Sequence, residues 1–124
     1  MLKILICDDE ESIRNIMDFS LESEGFLVVA VADGESALHA AMTEQPDAVV
    51  LDVMMPGAMD GLQACREIKQ NPRTAHIPVV MLSAKATAAD REAGREAGAA
   101  AYMTKPFSPG KLVGKLNELL GVRG

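Results

Sequence analysis

Ala48-Val49-Val50-Leu51-Asp52 passes through four apolar residues and stops on an acid. A strand with one wet face alternates; a run apolar at every position is what a strand covered on both faces looks like, and such burial belongs to parallel sheets flanked by helices. The same arrangement recurs on either side of this stretch. Residues 2–7 are mostly aliphatic and lead straight into Asp8-Asp9-Glu10, 27–32 are apolar and β-branched, 77–82 run into Ser83, and 100–103 precede Thr104-Lys105-Pro106. Helical spacing fills the intervals. Ile13, Ile16, Met17 and Leu21 recur at three and four over 11–24, with Gly25 at the stop. Asp33 can cap a helix whose inner face is Ala37, Leu38, Ala41 and Met42, blocked by Pro46. A turn-rich loop, 55–61, leads to a helix with Leu62, Cys65 and Ile68 inward, ended before Pro72. Around Ala88 to Ala93 the helix formers are good but no face is strongly apolar, and Gly94 and Gly98 blur its end. Leu112, Val113, Leu116, Leu119 and Leu120 trace a last helix.

Five strand and helix pairs without a linker predict an α/β fold, a doubly wound five-stranded parallel sheet with helices on both faces. A chain of 124 residues makes one domain, predicted over 1–120, with 121–124 as a tail or the start of a linker. No apolar run is long enough to span a membrane and the start lacks the zones of a signal peptide, which points to the cytoplasm. Cys7 in an apolar run and Cys65 on a helix fit reduced core thiols, one pairing remaining open. The net charge of −6, without a Lys/Arg cluster, argues against direct nucleic-acid binding, which needs a basic footprint.

Parallel crossovers return the chain each time, so the segments after all five strands emerge at one edge of the sheet, where open α/β folds bind ligands. Asp8, Asp9, Asp52, Ser83 and Lys105 collect there. Three converging carboxylates repel and lose hydration, a cost that a hard cation removes. Mg²⁺ suits an all-oxygen set that leaves room for waters, and Mn²⁺ is the second choice. His39 and His76 fall away from this edge and Cys65 lies within a helix, so zinc is a poor fit. Lys105 can pair with a phosphoryl oxygen and Ser83 can donate a hydroxyl to another. A carboxylate, a divalent ion and an ammonium are sufficient parts for phosphoryl transfer, which needs positioning and charge neutralisation more than covalent chemistry.

Four pieces lie in order at strand ends: Ile6-Cys7-Asp8-Asp9-Glu10, Leu51-Asp52-Val53-Met54-Met55-Pro56, Leu82-Ser83-Ala84 and Tyr102-Met103-Thr104-Lys105-Pro106-Phe107. With them the chain resembles the receiver domains of bacterial two-component response regulators, chemotaxis regulators among them, over essentially its whole length. The resemblance implies strand order 2-1-3-4-5 and a phosphorylation-controlled signalling switch rather than an enzyme with an external substrate. It implies that Asp52 accepts a phosphoryl group from a phosphohistidine on a sensor histidine kinase or histidine phosphotransferase. Asp8, Asp9, Asp52 and the backbone carbonyl of Met54 would hold Mg²⁺. Lys105, Ser83 and Ala84 would contact the phosphoryl group, Ala84 by leaving it room. Ser83 and Tyr102 would form the switch, and Lys105-Pro106 would be a cis peptide. Met54 and Lys85 fall at positions that tune loss of the phosphoryl group. Phosphorylation would draw the Ser83 loop inward, leave space for Tyr102 and reshape the surface of the fourth helix, fifth strand and fifth helix for a downstream protein or effector domain.

Two departures stand out. The family commonly reads Met-Pro-Gly-Met-Asp-Gly after the acceptor strand, whereas Met55-Pro56-Gly57-Ala58-Met59-Asp60-Gly61 is one residue longer, which predicts a bulged loop with the metal ligands retained. Ala100-Ala101 stands where the winged-helix transcription-factor subclass usually has two aspartates, which argues against that subclass and its symmetric dimer. Alternative functions are a metal-dependent phosphohydrolase of the same layout, or the receiver portion of a longer DNA-binding regulator. Plainer roles also exist: Asp8 and Asp9 as helix caps, Ser83 as a cap, Lys105 as a surface lysine, Tyr102 as packing. A flavodoxin-like carrier is disfavoured because Asp8-Asp9-Glu10 would repel a flavin phosphate, and a nucleotide switch because no glycine-rich phosphate loop is present.

Overall fold

The computed structural model describes residues 1–122. Strands and helices alternate strictly: β1 (Lys3–Cys7), α1 (Glu11–Ser23), β2 (Leu27–Val31), α2 (Gly34–Glu44), β3 (Ala48–Asp52), α3 (Gly61–Gln70), β4 (Val79–Ser83), α4 (Ala88–Glu96), β5 (Ala101–Thr104) and α5 (Pro109–Leu120). All pairings are parallel and the sheet order is β2-β1-β3-β4-β5. The order reverses beside β1, so the ends of β1 and β3 open a crevice between helices that depart to opposite faces.

The pleat sorts the strand residues into two cores. Leu5, Cys7, Val49, Leu51, Val79 and Met81 pack with Ala37 and Ala41 of α2 and with Ala64, Cys65 and Ile68 of α3. Ile4, Ile6, Val50, Val80 and Leu82 pack with Met17 and Leu21 of α1 and with Leu112 and Leu116 of α5. Every residue of β3 and β4 is buried, as the uniform hydrophobicity of Ala48–Leu51 requires. Cys7 and Cys65 are both free and buried.

Local chemistry sets most helix starts. Asp33 accepts from Ser36 N–H at 2.7 Å, Asp60 from Gln63 N–H at 2.9 Å, and Thr87 and Asp90 form a reciprocal capping box on α4. α1 is the exception: Glu10 is its cap residue and makes no side-chain bond, so Asp8 and Asp9 are not its caps.

Three expectations need correction. Ile16 is 47% exposed, because it sits about 100° around α1 from Met17, off the inward stripe. On α2 the fully inward positions are Ala37, Ala40 and Ala41, and Met42 is only half-buried. The fourth strand starts at Val79 instead of 77, since Ile77 N–H bonds Thr74 O in a turn and Pro78 has no N–H to give a ladder. α5 ends at Leu120 with Gly121 left-handed behind it, φ 69°; the rest of the expected tail, 123–124, lies outside the described residues.

Candidate functional site

Asp8 follows β1 and is completely buried. Four contacts hold it: its N–H donates to Val31 O at 3.2 Å, its carbonyl accepts from Arg14 Nη1 at 2.8 Å, its Oδ1 accepts from Glu10 N–H at 2.9 Å and its Oδ2 from Lys105 Nζ at 2.7 Å. Asp9 stands exposed beside it. Asp52, the last residue of β3, is 3% exposed; Met54 N–H reaches its Oδ1 at 3.2 Å and Lys105 Nζ its Oδ2 at 3.2 Å. One carboxylate oxygen from each of Asp8, Asp9 and Asp52 lies within 4.8 Å of the others.

Burial and the charge of Asp8 push the Asp52 carboxyl above its usual range, and Lys105 offsets this only in part. Burial also works against the Lys105 ammonium, yet its hydrogen bond to Asp8 and the charges of Asp52 and Asp8 hold it above the usual lysine range. The two rises have different causes: Asp52 is buried beside a second carboxylate, and Lys105 lies between two of them. It is well compensated itself, and Asp52 is not.

Glycine fixes the surroundings of Asp52. A methyl at Gly61 would stand 2.0 Å from the Asp52 carbonyl oxygen, and Gly61 N–H donates to Val53 O at 3.0 Å, so α3 begins flush against the end of β3. The lengthened loop turns at Gly57, φ 101°, and folds back; the Met59 carbonyl lies so close to Gly34 that a methyl there would meet it at 2.5 Å. The extra residue is thus taken up against the start of α2. A cleft of about 480 Å³, lined by Asp9, Asp33, Glu35 and Pro56 to Met59, results.

Ser83 ends β4, fully buried, and its Oγ accepts from Lys85 N–H at 3.0 Å. Ala84 and Lys85 are exposed in the loop that follows. Tyr102 on β5 donates its hydroxyl to Lys85 O, and the Arg91 guanidinium lies 5.5 Å from its ring centroid. Lys85 therefore links Ser83 to Tyr102 through one residue's N–H and C=O. Lys105 N–H bonds Ser83 O at 2.9 Å, and the Lys105–Pro106 peptide is cis. The side chain of Met54 is 52% exposed. His39 and His76 are exposed, away from the acids.

The crevice thus gathers Asp8, Asp9, Asp52, Ser83 and Lys105 from four strand ends. Residues 4–117 match the family model described as the response regulator receiver domain. The chain belongs to this family. As a receiver domain it has phosphoacceptor chemistry on an acidic, metal-binding triad, and its activity is the gain and loss of its own phosphoryl group. It is 44% identical over 118 residues to the alkaline phosphatase synthesis transcriptional regulatory protein PhoP of Bacillus subtilis, covering 95% of this chain and 48% of that one. It is 47% identical over 118 residues to a probable transcriptional regulator, ycf27, of Cyanophora paradoxa, with 95% and 48% covered. The chain spans about half the length of these curated relatives. Among solved structures, a chemotaxis response regulator of Vibrio cholerae superposes with TM-score 0.91 at 31% identity, covering 97% of this chain and 99% of the other. The receiver domain of a sensor histidine kinase from Pseudomonas aeruginosa, solved with magnesium in its active-site cleft, gives TM-score 0.89 at 32% identity, covering 97% and 98%.

Sequence reasoning did not single out Arg14, Gly34 or Gly61 for the site. Arg14 carried a weak signal, being one turn and a half beyond Asp8 on the same connection; the glycines carried none beyond their turn context.

Proposed function

We propose that Asp52 is the phosphoacceptor of a Mg²⁺-dependent signalling switch and that Lys105, Ser83 and Tyr102 convert its charge into a change of surface. One observation carries this reading: Asp8, Asp9 and Asp52 bring oxygens within 4.8 Å of one another, and the Lys105 ammonium touches the two buried ones but not Asp9. Even with Lys105 on two of them and Arg14 at the Asp8 carbonyl, three carboxylates leave a negative excess that suits a divalent cation, and the donors are all hard oxygens. Asp8, Asp9, Asp52 and the Met54 carbonyl would hold Mg²⁺, with Mn²⁺ as a substitute. When bound, Mg²⁺ neutralises charge on the transferring phosphoryl oxygens.

An Asp52 carboxylate oxygen attacks phosphorus, an O–P bond forms as the donor's P–N bond breaks, and the imidazole leaves with its electron pair. Lys105 turns from the carboxylates to a phosphoryl oxygen, and Ser83 Oγ donates to another. Exposed Ala84 leaves the approach open. Water attack on phosphorus later restores the carboxylate and releases phosphate. Recruiting Ser83 disturbs the Lys85 N–H bond to its Oγ, and Lys85 carries this to Tyr102 and the α4–β5–α5 surface.

The proposed donor is a phosphohistidine on a sensor kinase or phosphotransferase in the cytoplasm, and the output a downstream protein or effector domain. No helix among the described residues is long and apolar enough to cross a membrane. The receiver unit is proposed to be 1–120, with 121–124 as a tail or the start of a linker. The names and double length of the curated relatives favour a second reading within the first, the receiver portion of a DNA-binding regulator.

Intact-mass measurement after incubation with a small phosphodonor and Mg²⁺ tests the assignment. Wild type gains one acid-labile phosphoryl group and Asp52→Asn gains none; equal labelling of both removes Asp52.

A further inference from the structure

Gly94 is the only buried residue of α4 and sits inside a helix, where glycine is less favourable than alanine. Its left-handed freedom is not used there, since the positive-φ glycines among the described residues are Gly25, Gly57, Gly98 and Gly121. Space is the remaining reason. A methyl on Gly94 would stand 2.8 Å from Cδ2 and 3.2 Å from Cε2 of Tyr102, with Met81 Cγ at 3.7 Å closing the other side. The ring is held in this place from its other directions as well. Its hydroxyl bonds Lys85 O, Arg91 lies over its face, and Arg91 Nη1 donates to the Tyr102 carbonyl at 3.3 Å.

We propose that Gly94 is a positioning residue for the switch: its missing side chain forms the seat in which the Tyr102 ring docks between α4 and β4, and this docked ring is the conformation that favours phosphorylation of Asp52. The inference rests on the reading of Tyr102 as the switch aromatic. The physical link is short. A seated ring places its hydroxyl on Lys85 O, while Lys85 N–H bonds Ser83 Oγ at 3.0 Å. Filling the seat expels the ring, releases Lys85 and uncouples Ser83 from α4. Because the seat is on a regular helix, Gly94→Ala leaves the backbone its helical conformation and the side chain of Tyr102 is the group that gives way.

Tyr102 is the single tyrosine of a chain without tryptophan, so its fluorescence reports this ring alone. In the 124-residue chain, Gly94→Ala is expected to keep the helical circular dichroism of the wild type, to raise the iodide quenching constant of Tyr102 about two-fold, and to slow labelling by a small phosphodonor about five-fold. Unchanged quenching and unchanged labelling would overturn the seat. Increased quenching with wild-type labelling would keep the seat but remove Tyr102 from the switch, so the proposal falls there with the reading on which it rests. A Tyr102→Ala background separates the ring from the helix: adding Gly94→Ala there should leave the labelling rate unchanged. A further slowing in that background would show that the methyl acts through α4 itself and would overturn the positioning role. Loss of all labelling by Asp52→Asn remains independent of every one of these results.

Discussion

The C-terminal ends of β3 and β5, at the centre and the margin of the sheet, are built to opposite specifications. At β3 every residue is buried, Asp52 ends the strand, and α3 is pressed against it through Gly61. At β5 three of four residues are half-buried and the fourth exposed, and α4 beside it buries Gly94 alone. Phosphoryl chemistry needs atoms held in place, because small displacements of reacting groups are expensive in rate. A readout needs two arrangements of nearly equal free energy, so it is drawn from elements with little buried contact. The contrast also explains the helix caps. α4 has few apolar anchors and carries the reciprocal Thr87/Asp90 box, whereas α3, anchored by Ala64, Cys65 and Ile68, has a single-sided cap at Asp60.

The largest expected effect breaks the rigid end. Gly61→Ala sets a methyl against the Asp52 backbone, which cannot rotate away as a side chain can. We expect a loss of about 3 kcal/mol in urea unfolding and strongly reduced labelling of Asp52. A variant as stable as wild type would mean that the β3–α3 junction is softer than its contacts indicate. Asp52→Asn should move stability the other way by about 1 kcal/mol, because burial and Asp8 disfavour its charge while Lys105 keeps Asp8 as a partner. An unchanged or lower urea midpoint would show that the Lys105 contact dominates.

Thr87→Ala tests the soft end. Loss of the capping box should cost about 1 kcal/mol, seen as faster hydrogen exchange of α4 amides with β3 amides hardly affected. Uniform acceleration across the domain would erase the distinction between the two ends. The smallest effect concerns Cys7, which lies against Met55 Sδ at 3.2 Å and whose thiol burial pushes up to about 12. Burial likewise takes Cys65 to about 11. Neither thiol should react with a disulfide reagent at pH 8 unless the protein is unfolded. From pH 9 upward the unfolded chain loses protons that the folded chain keeps, so stability falls as pH rises through the window between 9.0 and about 12. Stability rising there would contradict the burial.

The arrangement of strands, and with it the position of each acid, was legible because strand ends are local signals. Apolar runs stop where charge begins, and the parallel crossover rule carries all five stops to one edge. Asp8, Asp9, Asp52, Ser83 and Lys105 could be placed together on that basis. What periodicity could not carry is contact between segments. Nothing near Gly61 announces that its Cα abuts Asp52 O, and nothing near Gly34 announces Met59. Arg14 looks like any helical arginine until its guanidinium is found on the Asp8 carbonyl. Ile16 misled because an apolar residue one step from Met17 joins the pattern by spacing while pointing elsewhere. The long loop was expected to bulge, and Pro56, Gly57 and Ala58 are exposed; what the sequence did not announce is that Met59 packs against the core cluster that includes Ala37 of α2, over twenty residues earlier in the chain.

The bond from Lys105 to Asp8 joins positions 97 residues apart. On a ribosome the two acids of β1 and β3 emerge long before their ammonium does. Until β5 is synthesised and docks as the outermost strand, Asp8 and Asp52 lack the cation that ties them together, and a nascent chain has an acceptor without its counter-charge. Competence to receive a signal therefore arrives with the last strand, so that a chain truncated before residue 105 lacks the completed acceptor site.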